Sequence, residues 1–357
     1  MADLPAVDHA SGHAWPDLQR RDRQRPDHWA REIDALVDVL RLELGSLPYD
    51  ATPDALYCAD DLYVGIDGGF AATVDQQIYA RAHRAGRPPL APAEELAQRL
   101  HDHGITAALN QFRVGRTLVG VMGGHALLRG SVGYRQIVSL GRSLTLAGFC
   151  VTTGGGPGAM EAANLGATTS RTPWDAVEVI VDDLARFPSF RDDADEFIRA
   201  GLRAARSIDD PRVSLSVPTW FYGHEPSNPF ALAIAKYFSN SEREAGLLAI
   251  ADGGIVFAPG GPGTLQEVFQ DAAQNAYETF GPASPMVFLD HPDDPEWWQR
   301  SGVLAALQTV FVDHSGRARP GEALIGRAST VANAVELLRA GKVQNVHRGP
   351  ENPSNRA

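Results

Sequence analysis

Residues 149–168, FCVTTGGGPGAMEAANLGAT, join a short apolar run, a glycine-rich turn and a helical pattern in direct succession. This succession is typical of a strand–loop–helix unit in a parallel sheet. Glycines also follow the apolar runs Leu118 to Met122 and Ile255 to Ala258. The repeated units predict an α/β fold, a Rossmann-like parallel sheet with helices on both faces.

The chain between Thr117 and Gly341 repeats the alternation of short apolar runs and longer helical patterns. Val177 to Val181 fits either a strand or part of a helix. Five strands are predicted, at Leu118 to Met122, Phe149 to Thr153, Val213 to Val217, Ile255 to Ala258 and Met286 to Leu289. Helices are predicted at Val132 to Ala147, Ala159 to Thr168, Pro229 to Ile250, Thr264 to Tyr277, Trp297 to Val312 and Thr330 to Ala340.

Changes of pattern along the chain predict its domain organisation. Residues 1–27 are polar and aperiodic, which indicates a flexible arm, and residues 28–110 form a mainly helical N-terminal extension that begins with a helix spanning Ile33 to Leu44. A nucleotide-binding domain of the Rossmann-like type is expected over 111–341, followed by a flexible tail at 342–357. Within that domain, the charged segment 182–212 is expected to be an insertion packed on the outside or over a site.

Composition narrows the classes of function. Among 357 residues, Asp and Glu number 44 against 32 Lys and Arg, which gives a formal net charge of −12. A field of this sign repels polyanions, so nucleic acid is not an expected partner. The two cysteines, Cys58 and Cys150, have no companions at zinc-ligand spacing, so neither a disulfide framework nor a metal site is predicted. Without an apolar stretch of about 18 residues or a signal-peptide pattern, we expect a cytoplasmic protein with no membrane partner.

Three glycine clusters lie between predicted strands and predicted helices. They are Gly123-Gly124-His125, Gly154-Gly155-Gly156-Pro157-Gly158 and Pro259-Gly260-Gly261-Pro262-Gly263-Thr264. Because the carboxyl ends of parallel strands meet at one edge of a sheet, the three loops are expected to converge. Glycine lets an anion approach the backbone, and each helix start adds free N–H groups and a positive dipole end. One cluster alone fits an ordinary turn, but the three together predict a phosphate and ribose site.

Two charged residues are candidate catalytic groups beside these loops. Glu267 follows Thr264 by three residues, so the two side chains share a helix face and fit either a capping box or a site for a ribose hydroxyl or a water. Arg243 precedes the strand that leads into the third loop. It fits either a phosphate contact or a solvated charge paired with neighbouring glutamates.

Further candidate substrate contacts surround the loops. Met160 and Glu161 follow the second loop, and His125 follows Gly124 in the first. The stretch Trp220 to Pro229, which contains His224 and Asn228, fits a pocket wall for a planar base or core packing. Both histidines are candidate proton donors, although a lone histidine is more often structural.

The segment Gly154-x-Gly156-x-x-Ala159 also fits the dinucleotide fingerprint, with Asp175 or Glu178 as the acid that binds the ribose. Two features argue against an oxidoreductase of that kind. The loop at 259–264 is not required by a dinucleotide-binding fold, and Glu161 would face the pyrophosphate.

The segments 154–162 (GGGPGAMEA) and 259–267 (PGGPGTLQE) resemble the paired signatures of the Lonely Guy (LOG) family of nucleotide phosphoribohydrolases. Those signatures are a triple-glycine loop ending in Gly-Leu-Met-Gly and a Pro-Gly-Gly-x-Gly-Thr-x-x-Glu loop. The second is met in full. The first has Ala159 for Leu and Glu161 for Gly, which is closer to the bacterial nucleotide 5'-monophosphate nucleosidases, as is Glu225-Pro-Ser-Asn-Pro229.

The resemblance covers about residues 117–340 and implies a Rossmann-like fold, a homodimer or higher homo-oligomer, and sites near the subunit interface. It implies that Glu267 is the active-site glutamate and Arg243 the active-site arginine. Plant-type members carry Arg-Lys where Arg243 is followed here by Glu244, which disfavours a cytokinin nucleotide. The apolar Leu265, Val268 and Phe269 of the helix after the third loop also need a cover, which a second subunit or the N-terminal extension would supply.

These observations predict hydrolysis of the N-glycosidic bond of a nucleoside 5'-monophosphate to a free base and ribose 5-phosphate, without a cofactor. Two other classes of function remain open. One is a non-catalytic nucleotide sensor or carrier that uses the same loops, and the other is a dinucleotide-dependent oxidoreductase.

Overall fold

The computed structural model describes residues 35–36, 38–40, 47–86, 90–313 and 315–347. The predicted arm at 1–27, most of the helix predicted from Ile33 to Leu44 and the end of the predicted tail lie outside these residues. The chain divides into two compact units, Met1–Leu47 and Pro48–Ala357. All elements described below belong to the second unit.

A seven-stranded sheet, parallel throughout, forms the centre of this unit. Its strands are β1 Leu118–Met122, β2 Cys150–Thr153, β3 Leu215–Ser216, β4 Ala233–Ile234, β5 Ile255–Phe257, β6 Met286–Leu289 and β7 Ile325–Ala328. The spatial order is β4-β3-β2-β1-β5-β6-β7. The chain therefore reverses its direction of travel across the sheet between β1 and β5, the place where such folds bind ligands.

Twelve α-helices of this unit are described. They are α1 Ala59–Leu62, α2 Val74–Ala85, α3 Pro92–Phe112, α4 Val132–Leu146, α5 Ala159–Thr168, α6 Trp174–Leu184, α7 Ala194–Arg206, α8 Asn240–Ala249, α9 Pro262–Tyr277, α10 Trp297–Arg300, α11 Val303–Phe311 and α12 Val331–His347.

Helices cover both faces of the sheet, as the sequence predicts. Alternate strand residues enter two separate cores because successive side chains of a strand point to opposite faces. Val119 and Val121 pack in a core with residues of α4, α5, α6 and α12. Leu118 and Met122 pack in a second core with residues of α3, α8, α9 and α11. The predicted fold class, a Rossmann-like α/β sheet, is confirmed.

Several predicted elements need correction. The helix predicted from Pro229 to Ile250 is wrong in its first half, which contains β4; α8 begins only at Asn240, where the Ser239 side chain accepts a hydrogen bond from the Glu242 amide. The helix predicted from Trp297 to Val312 is two helices, separated at Gly302 with φ of 74°. The ambiguous segment Val177 to Val181 is helical and belongs to α6.

Helices α4 and α5 approach each other closely because each has a glycine at the contact. A Cβ on Gly141 would lie 3.1 Å from the Cα of Ala163, and one on Gly166 would lie 2.9 Å from the amide nitrogen of Arg142. Only a residue without a side chain fits at either place. The contact fixes α5, and with it the glycine loop that precedes α5, against α4.

The segment from Pro48 to Phe112 packs against the β4 edge of the sheet. Tyr57 and Ile234 form an antiparallel bridge, with backbone N···O distances of 3.0 and 2.8 Å. On α3, the carboxylate of Asp102 accepts the amides of Phe238 and Ser239 at 2.9 and 2.8 Å. This segment therefore closes the edge of the sheet and holds the chain between β4 and α8.

Candidate functional site

The three glycine loops meet at the carboxyl edge of β1, β2 and β5. A Cβ on Gly124 would lie 3.4 Å from the Cα of Gly260, and one on Gly158 would lie 2.6 Å from the carbonyl oxygen of His125. The amide of Ala159 donates to the Gly124 carbonyl at 3.1 Å. The structure thus brings the first loop into contact with the other two.

The loop Gly154 to Gly158 is held by hydrogen bonds from buried side chains and from a neighbouring backbone. Gly155 has φ of 79°, and its amide donates to the Thr153 hydroxyl at 3.1 Å. The backbone amide of Asn228 donates to the Gly155 carbonyl at 2.8 Å, and the Asn228 side-chain amide donates to the Gly156 carbonyl at 3.4 Å. The carbonyl oxygens of Gly155 and Gly156 and the amide of Gly155 are therefore all occupied by protein groups, which fixes the shape of the loop.

The loop Gly260 to Thr264 leads directly into α9. Gly261 is the N-cap residue, Pro262 is at the first helical position, and no side chain of the described residues caps this helix. The capping interpretation of Thr264 and Glu267 is therefore wrong. The helix start keeps uncapped N–H groups and its positive dipole end at the convergence of the loops, which suits an anion. A Cβ on Gly261 or on Gly263 would meet nothing within 4 Å, so both glycines face open space.

Arg243 lies on α8 and reaches the loop Gly154 to Gly158, which follows β2 and is called the loop of β2 below. Its Nη2 is 3.5 Å from the position that a Cβ on Gly154 would take. Its Nε is buried without a hydrogen-bond partner, and within the described part of the chain no carboxylate forms an ion pair with it. The neighbouring acids are directed elsewhere, since Glu242 pairs with Arg99 at 2.6 Å and Glu244 accepts from Asn240 at 3.2 Å. The guanidinium is thus not the solvated, glutamate-paired charge that the sequence left open.

Glu267 lies one helical turn into α9 and is partly buried. Burial raises the pKa of its carboxyl from an ordinary 4.5 to about 7, and Glu244 adds to the rise, while the attraction of Arg243 opposes it. A carboxyl with this pKa changes its charge near neutral pH, which suits a group that stabilises positive charge or orients water. Glu267 and Arg243 therefore interact electrostatically beside the glycine loops.

Met160 covers the loop of β2. Its sulfur lies 2.9 Å from the position of a Cβ on Gly154, and its methyl carbon lies 2.9 Å from that of a Cβ on Gly156. Side chains larger than hydrogen at these two glycines would displace the methionine. Met160 is partly exposed, so it is available to a ligand in the loop.

Two of the predicted contacts are turned into the protein. Glu161 is fully buried and forms a two-point ion pair with Arg129, at 2.7 Å for both bonds, and it accepts the Tyr134 hydroxyl at 2.7 Å. The expectation that Glu161 contacts a substrate is wrong, because its carboxylate is paired inside the core, and the argument that it would face a bound pyrophosphate does not hold either. Asn228 is also buried. Its side-chain nitrogen donates to the Gly156 carbonyl and to Oδ1 of Asn164, and its side-chain oxygen accepts the Phe230 amide.

The stretch Trp220 to Pro229 divides between core and surface. Trp220 is buried and packs on His101 and Phe238 at ring-centroid distances of 5.4 and 4.6 Å, so core packing explains it. Phe221 and Tyr222 are exposed and contact each other edge to face at 4.9 Å. His224 is exposed as well.

His125 contacts Glu225 and Arg191, two residues beside the glycine loops that the sequence did not indicate as site residues. Its Nδ1 is 3.3 Å from Oε1 of Glu225, and its Nε2 is 3.1 Å from Nη2 of Arg191. The Glu225 Oε2 lies 3.6 Å from the position of a Cβ on Gly156. Glu225 opens the segment Glu225-Pro-Ser-Asn-Pro229, in which the sequence indicates no role for the glutamate itself. Nothing in the sequence around Arg191 distinguishes it from the other arginines of the charged segment.

The charged segment 182–212 contains α7 and lies beside the loop of β2. Pro188 to Arg191 and Phe197 line a cavity of about 100 Å³ together with His125, Pro157 and Gly158. The segment is expected to pack either on the outside of the domain or over a site, and residues 188–191 do lie next to the glycine loop.

Among the described residues, no group of three or more His, Cys, Asp or Glu side chains is arranged to hold a metal ion. In the same part of the chain, no helix combines the length and the hydropathy needed to span a membrane.

Comparison with known proteins returns structures alone. No protein family and no curated protein matches the sequence. Similar solved structures include TM1055, a structural genomics target, at 18% identity over 63% of this chain and 99% of its own, with a TM-score of 0.37. The molybdenum cofactor binding protein from Rippkaea orientalis has 16% identity over 63% of this chain and 96% of its own, with a TM-score of 0.36. The molybdenum cofactor carrier protein from Chlamydomonas reinhardtii has 17% identity over 64% of this chain and 99% of its own, with a TM-score of 0.35. The similarity concerns the type of fold alone.

Proposed function

We propose that the protein hydrolyses the N-glycosidic bond of a nucleoside 5'-monophosphate, with water as the second reactant and a free base and ribose 5-phosphate as products. The observation that carries the proposal is Glu267 beside Arg243, which has no other ion-pair partner among the described residues, where the glycine loops meet. The resemblance of these loops to LOG-family signatures supports the same assignment.

The phosphate is the part of the substrate that the loops suit best. The start of α9 has no side-chain cap among the described residues, the loop that leads into it contacts the first glycine loop, as the β2 loop does, and the Arg243 guanidinium borders the β2 loop. Such groups bind an oxyanion through hydrogen bonds and the helix dipole. A phosphate held there fixes the sugar at a set distance from Glu267, so binding energy from the phosphate is used to orient the reacting bond.

Glu267 supplies the chemistry at the sugar. Cleavage of the glycosidic bond develops positive charge on C1' and the ring oxygen of the ribose. An ionised carboxylate in a partly buried position stabilises this charge and orients the attacking water, and its effect is larger there than in bulk solvent. Because burial raises the pKa of Glu267 to about 7, the ionised form predominates only above neutral pH.

The proposal is tested by incubating the protein with a panel of nucleoside monophosphates and separating free bases by chromatography. Release of a base and of ribose 5-phosphate in equal amounts is the expected result. A monophosphate that stays bound and intact for hours would instead indicate a sensor or carrier. Quenching of nicotinamide fluorescence on titration, without release of base, would indicate a dinucleotide-dependent enzyme.

The subunit arrangement belongs to the same proposal. We expect a homodimer with the site near the interface, on the strength of the LOG resemblance alone. The apolar residues of α9 do not add to that argument, because Val268 is buried and Leu265 and Phe269 pack against the core of their own chain.

A further inference from the structure

A buried group of polar residues lies between the N-terminal segment and the sheet. Lys236, two residues after β4, is 1% exposed, and its Nζ is 2.6 Å from Oδ1 of Asp75 on α2 and 2.9 Å from Oγ of Ser227. The indole N–H of Trp220 donates to the same Asp75 oxygen at 2.9 Å. Tyr63, which follows α1 and is 2% exposed, donates its hydroxyl proton to the carbonyl oxygen of Ser227.

One peptide group connects this cluster to the loop of β2. The Ser227 carbonyl that accepts from Tyr63 and the Asn228 amide that donates to Gly155 at 2.8 Å belong to the same peptide bond. Because that bond is planar, fixing its oxygen also fixes the direction of its N–H. The Lys236 ammonium holds the Ser227 side chain from the other side. The position of Gly155 thus depends on residues of the N-terminal segment about 80 to 90 positions earlier in the chain.

The cluster is costly to bury, which argues for a role beyond stability. Desolvation lowers the pKa of Lys236, and the second carboxylate oxygen of Asp75 is buried without a hydrogen-bond partner. Apolar residues of similar volume often replace a buried ion pair without loss of stability, but they do not direct hydrogen bonds. The hydrogen bonds that the cluster does make, to Asp75 Oδ1 and to the Ser227 hydroxyl, hold the groups that they join in one arrangement.

From this geometry we infer that Tyr63 and Asp75 are positioning residues for the loop of β2. They act through the Ser227–Asn228 peptide, and they make the N-terminal segment part of the machinery that shapes the loop Gly154 to Gly158. The kinetic consequences rest on the proposed function, whereas the effect on the loop itself does not.

The test compares two matched substitutions in the full chain. Tyr63→Phe removes only the hydroxyl that holds the Ser227 carbonyl. Tyr57→Phe removes the hydroxyl that bonds His101 Nε2 at 2.8 Å, also in the N-terminal segment, but this hydroxyl makes no hydrogen bond to the Ser227–Asn228 peptide. Hydrogen exchange of the peptide spanning residues 153–160, measured by mass spectrometry, is expected to quicken in Tyr63→Phe and to stay at the parent rate in Tyr57→Phe.

Kinetics gives the second measurement. With the best monophosphate, Tyr63→Phe is expected to raise KM roughly 3- to 10-fold, the range for loss of one hydrogen bond, and to change kcat less than about twofold. Asp75→Asn keeps the shape but leaves the Lys236 charge buried without its counterion, so a larger rise in KM is expected, about tenfold or more. Tyr57→Phe is expected to lower thermal stability without changing KM.

Equal behaviour of the two tyrosine variants in exchange and in KM would overturn the inference. If Tyr63→Phe fails to fold, Ser227→Ala removes the Lys236 contact from the loop side, and unchanged exchange at 153–160 in that variant would overturn it too. If the parent cleaves no monophosphate, the proposed function fails, and the exchange comparison still decides the role of Tyr63.

Discussion

Replacing Glu267 by Gln is expected to have opposite effects on activity and on stability. The substitution keeps the size of the side chain and its capacity for hydrogen bonds, but it removes the negative charge. If the carboxylate stabilises a cationic transition state, kcat should fall about 10²- to 10⁴-fold while nucleotide affinity changes little. On the same proposal, the parent protein should show kcat rising with pH to a plateau above about 7, because only the ionised carboxylate would be active.

The stability effect follows from the same pKa. The folded protein holds the Glu267 proton up to about pH 7, whereas the unfolded chain loses it near 4.5, so the parent loses stability as pH rises between these values. Each pKa unit is worth about 1.4 kcal/mol, so the rise from 4.5 to about 7 makes the full loss well above pH 7 at most about 3.5 kcal/mol. Gln carries no charge and has no such loss. Between pH 4.5 and 8, the Gln variant should therefore gain up to about 3 kcal/mol in unfolding free energy relative to the parent.

Urea unfolding of both proteins at pH 4.5 and pH 8 measures the stability difference, and initial rates at saturating monophosphate measure kcat. Calorimetric titration with the same nucleotide provides the control for binding. A variant that retains kcat within a few-fold of the parent would refute the catalytic role. A stability difference that does not change between the two pH values would refute the raised pKa of the Glu267 carboxyl.

The remaining predictions concern the phosphate, the loop and the oligomer. The 5'-phosphate should be required, so a nucleoside cleaved as fast as its monophosphate under the same conditions would contradict the role of the glycine loops. Gly158→Ala should abolish nucleotide binding, because Gly158 has φ of 71° and a Cβ there would meet the His125 carbonyl. Gly246→Ala should bind nucleotide like the parent, because a Cβ at this position in α8 meets nothing within 4 Å. Titration calorimetry compares the two variants, and similar affinities would be evidence against the site. Light scattering should give the mass of a dimer at working concentration, and a fully active monomer would count against the arrangement expected from the LOG resemblance.

Two strands, β1 and β6, have the bounds that the sequence predicts. Their apolar runs of five and four residues are followed at once by Gly123 and Asp290, which mark the ends, and Pro285 marks the start of β6. β4 was missed because only Ala233 and Ile234 are paired, and a run of alternating alanines and larger apolar residues fits a helix equally well. Short strands of this kind are fixed by their neighbours in the sheet, which a local pattern does not contain.

The convergence of the glycine loops could be predicted because it depends only on the order of strands and loops. The direction of individual side chains could not. Glu161 was expected at the ligand because it opens a helix, but its partner Arg129 lies 32 residues away and turns it inward. The contact of Lys236 with Asp75 spans 161 positions, and no periodic signal relates two residues at that separation.

The paired glycines of α4 and α5 have a consequence for the energetics of ligand binding. Because Gly141 and Gly166 bring the two backbones into contact, α5 has no room to shift, and the loop at its start has its shape before a ligand arrives. Little conformational entropy is then lost when an anion enters, so more of the gross interaction energy remains as affinity. A methyl group added at either glycine would separate the helices and loosen the loop, which would weaken affinity from a position that no ligand touches.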